Sequence, residues 1–325
     1  MEIKLVSPFD AHLHLRDGDL LKTAAPISAR AFAGAIAMPN LTPPIASLEA
    51  ANAYKARILA HCGEPFELVA AIYLTPALAA RDLEGVKIVK LYPIGVTTGA
   101  ESGVTDIDRY DRLFGAMSDR GAILSVHGET NGEVLAREAQ FAPIYENLAK
   151  RYPRLKIVME HISSIALVNL LDRYENLFAT ITLHHLLYTL DDLLGGRLNP
   201  HLFCKPIVKT AADRGALRKL AFAAHPKVSF GSDSAPHLRA AKEGASGAAG
   251  VFSAPVLLPA LAELFEAHSA LGALQAFVSD NARRIYGVAP AEKIVTLIKR
   301  PTIVPDEIGG VVPLLAGETI AWSLA

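Results

Sequence analysis

The chain has 325 residues, 51% of them apolar and 20% charged, with a formal net charge of -1. That balance describes a well-buried globular protein and gives no support for a nucleic-acid or anionic-membrane surface, since no basic run breaks it. Cys62 and Cys204 form neither a disulfide framework nor a C-x-x-C motif, and the opening MEIKLVSPFD lacks a charged-then-apolar leader pattern, so a cytoplasmic location is expected.

The first predicted strand runs into FDAHLHLRDG, residues 9–18, with Asp10, His12, His14 and Arg16 at every second position. Alternate side chains of a strand share one face, so this spacing aims all four one way. Burying such a polar stripe is costly unless something binds it. Further short runs rich in β-branched residues follow: AGAIAMPN (33–40), FELVAAIYL (66–74), VKIVKLYP (86–93), GAILSVHGE (121–129), LKIVMEHI (155–162), FATITL (178–183) and KVSFGSDS (227–234). Stretches of helical period separate most of them, among them residues 47–62, 107–121, 142–153 and 165–176. The apolar region 252–268 is interrupted by Pro259, Glu263 and Glu266, which predicts a buried helix and not a membrane span.

Strands alternating with helical crossovers, closed by a helical tail, predict one α/β domain over residues 1–325, a (β/α)8 TIM barrel. The competing open, doubly wound sheet lacks a Gly-rich nucleotide turn after its first strand. Active sites of such barrels lie at the C-terminal ends of the strands. His12 and His14 end strand one, Asn40 strand two, Lys90 strand four, His127 strand five and His161 strand six, and Asp233 follows strand eight.

Histidines from three strands plus one carboxylate supply nitrogen and oxygen ligands suited to zinc or a similar ion. They are generous for a single ion, and two ions need a bridge, for which Lys90 is the candidate. Burial lowers a lysine pKa, and a neutral amine can add carbon dioxide to become an anionic carbamate. Spacing alone does not establish that step. Taken singly, Lys90 reads as an ordinary strand-end lysine and Asp233 as a helix N-cap in DSAP.

The segments HLHLRDG, MPN, KLYPIGVTT, VHGE, EHI, PHLFCKPIVK, GSDSAPH and LAGETIAWS together resemble the amidohydrolase superfamily. Within it the likeness is to dihydroorotases of the short bacterial, homodimeric type, and it runs nearly the full length. The resemblance implies two zinc ions per chain: His12, His14 and Asp233 would hold one, and His127 with His161 the other. Carboxylated Lys90 and a hydroxide would bridge them. The implied reaction is the reversible cyclisation of N-carbamoyl-L-aspartate to L-dihydroorotate in pyrimidine synthesis, with Asp233 passing a proton from the attacking hydroxide to the leaving nitrogen. A homodimer is likewise implied by resemblance.

The substrate of such an enzyme carries a carboxylate. A guanidinium can grip one bidentately, and the resemblance assigns Arg16, Asn40 and His237 to that task. It also implies substrate contacts from His14, His127, from Thr97 and Thr98 in the Gly/Thr-rich loop 94–105, and from a position near Ala249 in EGASGAAG. Lys205 departs from the family pattern, standing in CKP where relatives have an apolar residue; its contact is expected through the backbone. His184 and His185, close to strand seven, are read as residues that support the ligands from outside or simply pack. Hydantoinase- or allantoinase-type amidohydrolases are the competing enzymes, disfavoured because eleven residues precede His12 where those relatives build a β-domain. An inactive scaffold homologue would be expected to lack ligands.

Overall fold

The computed structural model describes residues 1–325. Two strands occupy the stretch the sequence suggests as one: β1 (Glu2–Val6) and β2 (Phe9–Leu13). They part at Ser7, whose φ of 47° is left-handed, and at Pro8, which has no N–H for a ladder. Downstream lie β3 (Gly34–Ala37), β4 (Glu67–Ala70), β5 (Ile72–Tyr73), β6 (Ile88–Leu91), β7 (Ile123–Val126), β8 (Lys156–Met159), β9 (Leu177–Ile181) and β10 (Val228–Phe230).

All neighbours from β2 to β10 pair in parallel, as β2-β3-β4 and as β5-β6-β7-β8-β9-β10. β4 and β5 flank the single residue Ala71, so one stretch of chain serves both groups. The segment after β10 returns to β2. Asp233 N donates to His12 O at 2.8 Å, and His14 N donates to Ser234 O at 3.1 Å. A glycine is needed at the approach: a Cβ on Gly231 would stand 2.9 Å from that of His12.

Parallel strands require crossovers, and helices Gly18–Ala31, Leu48–Cys62, Asp111–Arg120, Arg137–Arg151 and Ala211–Phe222 supply several. Ser47 caps the second of these by accepting from Ala50 N, and Gly63 ends it in the left-handed conformation. The helix expected over 165–176 is a single turn, Ile165–Val168, followed by irregular turns. The helical tail is also shorter than expected. After Leu257–Ala267 and Asn281–Tyr286 come β11 (Ile294–Ile298), β12 (Thr302–Ile303), β13 (Thr319–Ile320) and β14 (Ser323–Leu324). β1 and β14 pair antiparallel with β11, joining the two ends of the chain. No helix is long and apolar enough to cross a membrane.

The core has two main parts. A small cluster gathers Phe9, Ile88 and Ile123, the first residues of β2, β6 and β7, with Ile36, Val69 and Ile285. A much larger one packs the strands against the helices. Apolar side chains thus fill the start of these strands, leaving their far ends for polar groups.

Candidate metal centre

A register shift between Asp10 and Leu13 shapes the first ligand pair. Phe9 and Ala11 belong to the small cluster, whereas Leu13 and Leu15 belong to the large one. The shift therefore changes which side of the strand faces inward, a common use of a bulge beside a site. His12 and His14 keep period two and converge, with their Nε2 atoms 3.2 Å apart. Of the four-residue stripe expected from the sequence, Arg16 lies past the end of the strand and Asp10 does not join the cluster. Asp10 instead ties backbone, accepting from His12 N at 3.1 Å and Ser232 N at 2.8 Å, and Arg16 has a left-handed φ of 58°.

Asp233 completes the first group. Its Oδ1 lies 3.0 Å from His14 Nε2 and 3.4 Å from His12 Nε2, and one donor atom from each of the three residues falls within 4.8 Å of the others. Burial would raise the Asp233 carboxyl, but the hydrogen bond from His14 and the neighbouring His12 outweigh it and hold the group well below the usual carboxylate range. The backbone of Asp233, with φ 45°, is strained for a residue bearing a Cβ, and so is that of His161, with φ 40°.

His161 joins the cluster to His127: its ring centroid lies 5.0 Å from that of His12 and 4.7 Å from that of His127. Lys90, on β6, is wholly buried, and burial lowers its amine to about 8 despite the opposing charges of Glu160 and Asp233. Two carboxylates not singled out from the sequence anchor these rings from behind. Glu160 Oε2 is 2.8 Å from His12 Nδ1, and Glu129 Oε2 is 2.7 Å from His127 Nε2. Ser125 and Thr180 also donate to Glu160, at 2.5 and 2.6 Å. Burial raises Glu160, yet His12 and Lys90 bring it down to about 2. The available signal was a glutamate beside each histidine, in HGE and EHI.

Buried polar atoms are nearly always hydrogen-bonded, yet Lys90 Nζ, His14 Nδ1, His161 Nδ1, Asp10 Oδ2 and Tyr92 Oη have no partner. Histidines held by carboxylates at one nitrogen, beside unpaired buried donors, are what a bound metal requires. The residues present fit metal ions.

Above this cluster opens a narrow cleft. His14, His127, His161 and Asp233 form its floor; Arg16, Asn40, Thr97, Thr98, Lys205 and Ala249 line it, together with Tyr92, Ala235 and Gly250. His12 and Lys90 lie beneath, outside the lining. His237 borders an adjoining outer cleft shared with Arg16, Asn40 and Thr98. Arg16 Nη2 donates toward His237 Nε2 at 2.9 Å, and Asn40 Nδ2 donates to Thr98 O at 3.0 Å. Burial and the Arg16 charge push His237 down to about 3, keeping its ring neutral. Gly250, φ 148°, is needed where a Cβ would meet both Ala235 and His237 at 2.9 Å.

The amidohydrolase family model matches residues 9–288. Dihydroorotase of Helicobacter hepaticus is 46% identical over 99% of this chain and 97% of its own length. The chain belongs to the amidohydrolase family, among the dihydroorotases. The crystal structure of dihydroorotase from Campylobacter jejuni superimposes with a TM-score of 0.94 at 49% identity, covering 99% of this chain and 97% of that one. That of Saccharomyces cerevisiae dihydroorotase in complex with 5-fluoroorotic acid gives 0.94 at 32% identity, covering 100% and 98%. Membership of the amidohydrolases implies a metal cofactor, for which His12, His14 and Asp233 are candidate ligands.

Proposed function

We propose that this chain interconverts N-carbamoyl-L-aspartate and L-dihydroorotate, the ring-closing step of pyrimidine synthesis. The observation that carries the reading is a floor of unpaired metal donors under a cleft lined by Arg16, in a chain homologous along its whole length to dihydroorotases. The yeast relative's complex with a carboxylated pyrimidine supports a substrate of that shape and charge. Two zinc ions per chain would be held by His12, His14 and Asp233 on one side and His127 and His161 on the other, with carboxylated Lys90 and a hydroxide between them. Burial favours the neutral amine, whose lone pair can attack carbon dioxide and lose a proton to give the carbamate, and no hydrogen bond in the chain occupies Nζ. The hydrogen bonds from Asp233 N to His12 O and from His14 N to Ser234 O, which tie the segment after β10 to the end of β2, support reading the parallel strands as a closed (β/α)8 barrel over one domain, 1–325.

When bound, the ions lower the pKa of shared water, polarise the ring carbonyl and stabilise the oxyanion. Asp233, ionised and aimed into the cleft, takes the proton of the attacking oxygen and returns it to the departing ring nitrogen. Ring closure runs the same path backwards. Arg16 pairs with the substrate carboxylate, aided by Asn40 and by neutral His237. Thr97, Thr98, Lys205 and Ala249 contact the substrate from the cleft lining, and the segment around Ala249 is held in part by Lys242 Nζ, which donates to Ala248 O and Gly250 O at 2.9 and 2.6 Å. His14 and His127 contact the substrate from the floor. We place the enzyme in the cytoplasm as a homodimer; its two free, buried cysteines suit a reducing compartment.

The test is a two-way assay of zinc-loaded protein on L-dihydroorotate and N-carbamoyl-L-aspartate, with hydantoin and allantoin as controls and metal counted per chain. Turnover of the first pair with at least two ions per chain is expected from a bridged two-metal centre. Turnover of hydantoin or allantoin alone would overturn the substrate assignment.

A further inference from the structure

The signature of the metal centre recurs away from the cleft floor. On the short helix Leu183–Leu187, His184 is buried and neither of its ring nitrogens has a partner. A neutral imidazole always presents one donor and one acceptor, so this ring gives up two hydrogen bonds to water and regains none. Packing alone offers no compensation for that. Beside it stand His185 and Cys204, both buried, and one donor atom from each of the three lies within 4.8 Å of the others.

We propose that His184, His185 and Cys204 form a second metal site, separate from the carboxylate-anchored centre and selective for a single zinc ion. A thiolate with imidazoles is a donor set that zinc favours. Cys204 Sγ is 4.0 Å from His185 Nε2, and both point at one carbonyl, Pro206 O, at 3.2 and 3.0 Å. Around tetrahedral zinc, with bonds of about 2.3 Å to sulfur and 2.0–2.1 Å to nitrogen, adjacent donors stand about 3.5 Å apart. The observed spacing closes onto an ion with a modest contraction, and Pro206 O is available as the fourth donor.

The outer contacts fit as well. His185 Nδ1 lies 2.8 Å from Thr182 Oγ1. With its Nε2 lone pair on the metal, Nδ1 carries the proton and donates to Thr182, the outer anchor that a ligating histidine usually has. Cys204 gives up its S–H proton to solvent as the S–Zn bond forms, so binding releases one proton and tightens as pH rises. The charge of Asp233 reaches both His184 and Cys204 and favours that cation, while Lys242 and Lys209 oppose it, so the ligand atoms themselves must supply the affinity.

The inference does not depend on the reaction proposed above. Full-length protein is stripped of metal, reloaded with cobalt(II) as a zinc surrogate, and followed by absorbance. The ligands assigned to the two-metal centre are nitrogen and oxygen only, so they yield visible ligand-field bands and no sulfur-to-cobalt charge transfer. We expect a near-ultraviolet charge-transfer band that saturates at one equivalent per chain. Cys204→Ser should abolish it and lower bound metal by one equivalent while keeping the ligand-field bands. His184→Asn, which retains the thiol, should weaken cobalt binding at that band by tenfold or more, and it decides the matter if Cys204→Ser does not fold. Wild-type protein loaded to its full metal content without the band overturns the site. So does a band that survives Cys204→Ser, which would point to Cys62. Ligand-field bands lost together with the charge-transfer band in Cys204→Ser would count against the two-metal centre and leave this site standing.

Discussion

Two buried polar clusters lie side by side and solve the same problem in opposite ways. Lys209, Glu138 and Ser163 satisfy one another: Lys209 donates to Glu138 and, at 2.6 Å, to Ser163 Oγ, while Ser163 donates its hydroxyl and its backbone N–H to Glu138. Two residues before Ser163, His161 opens the other cluster, where Lys90 Nζ and the Nδ1 atoms of His14 and His161 find nothing in the chain. Both clusters carry lysine and glutamate out of water. Only one is complete without a ligand. A closed network is a structural device, and an open one is a site held ready at some cost to the fold.

The sharpest break between them is Asp233→Asn. Removing the proton carrier should lower kcat by ~10³-fold or more, at the upper range for general acid–base catalysis. The folded state should change little, so the thermal midpoint stays within a few degrees. Dihydroorotate turnover of the variant near the wild-type rate would remove Asp233 from the chemistry. The mirror experiment is Lys209→Met, which strands Glu138 as a buried, unpaired charge and should destabilise the fold by about 3–5 kcal/mol. Urea midpoints measure that loss. Adding Glu138→Gln to the same variant should recover much of it, because breaking a buried pair is costlier than replacing it. A loss below 1 kcal/mol in the single variant would mean that Lys209 and Glu138 do not form a closed structural network.

Much of the open cluster was legible in the sequence because its ligands sit where β-rich runs end: His127 follows β7 directly, and His161 and Asp233 come within three residues of β8 and β10. Local pattern was enough for that. The bulge between Asp10 and Leu13 was not legible, since FDAHLHLR alternates perfectly as written and only pairing with β3 creates the shift. The pairing of β1 with β11 was missed for a related reason: it spans nearly the whole chain, and no local signal announces it. Glu129 and Glu160 were visible as letters without roles. Their function is to hold a ring from behind, which depends on distances that spacing does not encode. The closed network fell outside the reading altogether, because Glu138, Ser163 and Lys209 come from segments far apart in sequence and each alone looks like a surface residue.

Between chemistry and stability lies recognition. Arg16→Ala should raise KM for dihydroorotate about 10- to 100-fold, the equivalent of one charge-assisted hydrogen bond, with kcat changed only a few-fold. Steady-state kinetics in both directions would check it. A fall in kcat with KM unmoved would mean that Arg16 shapes the floor instead of gripping the carboxylate.

The smallest expected effect concerns His237, which borders the open cluster without belonging to its floor. Its ring is held neutral by burial and by Arg16, with a pKa near 3 against 6.5 for the free side chain. As pH falls below 6.5 the unfolded chain takes up a proton there and the folded chain does not. The unfolded state then binds more protons, so stability attributable to this group is fully present above 6.5 and is lost as pH drops toward 3. His237→Asn removes the titration. Between pH 7 and pH 5 the wild type should therefore lose about 1–2 kcal/mol more than the variant, the partial exposure of the ring keeping the figure below the full linkage value. Urea midpoints at the two pH values give the comparison. Equal losses would mean that His237 titrates as it does in water, with Arg16 free to turn away from it, and the carboxylate grip would then rest on Arg16 and Asn40 alone.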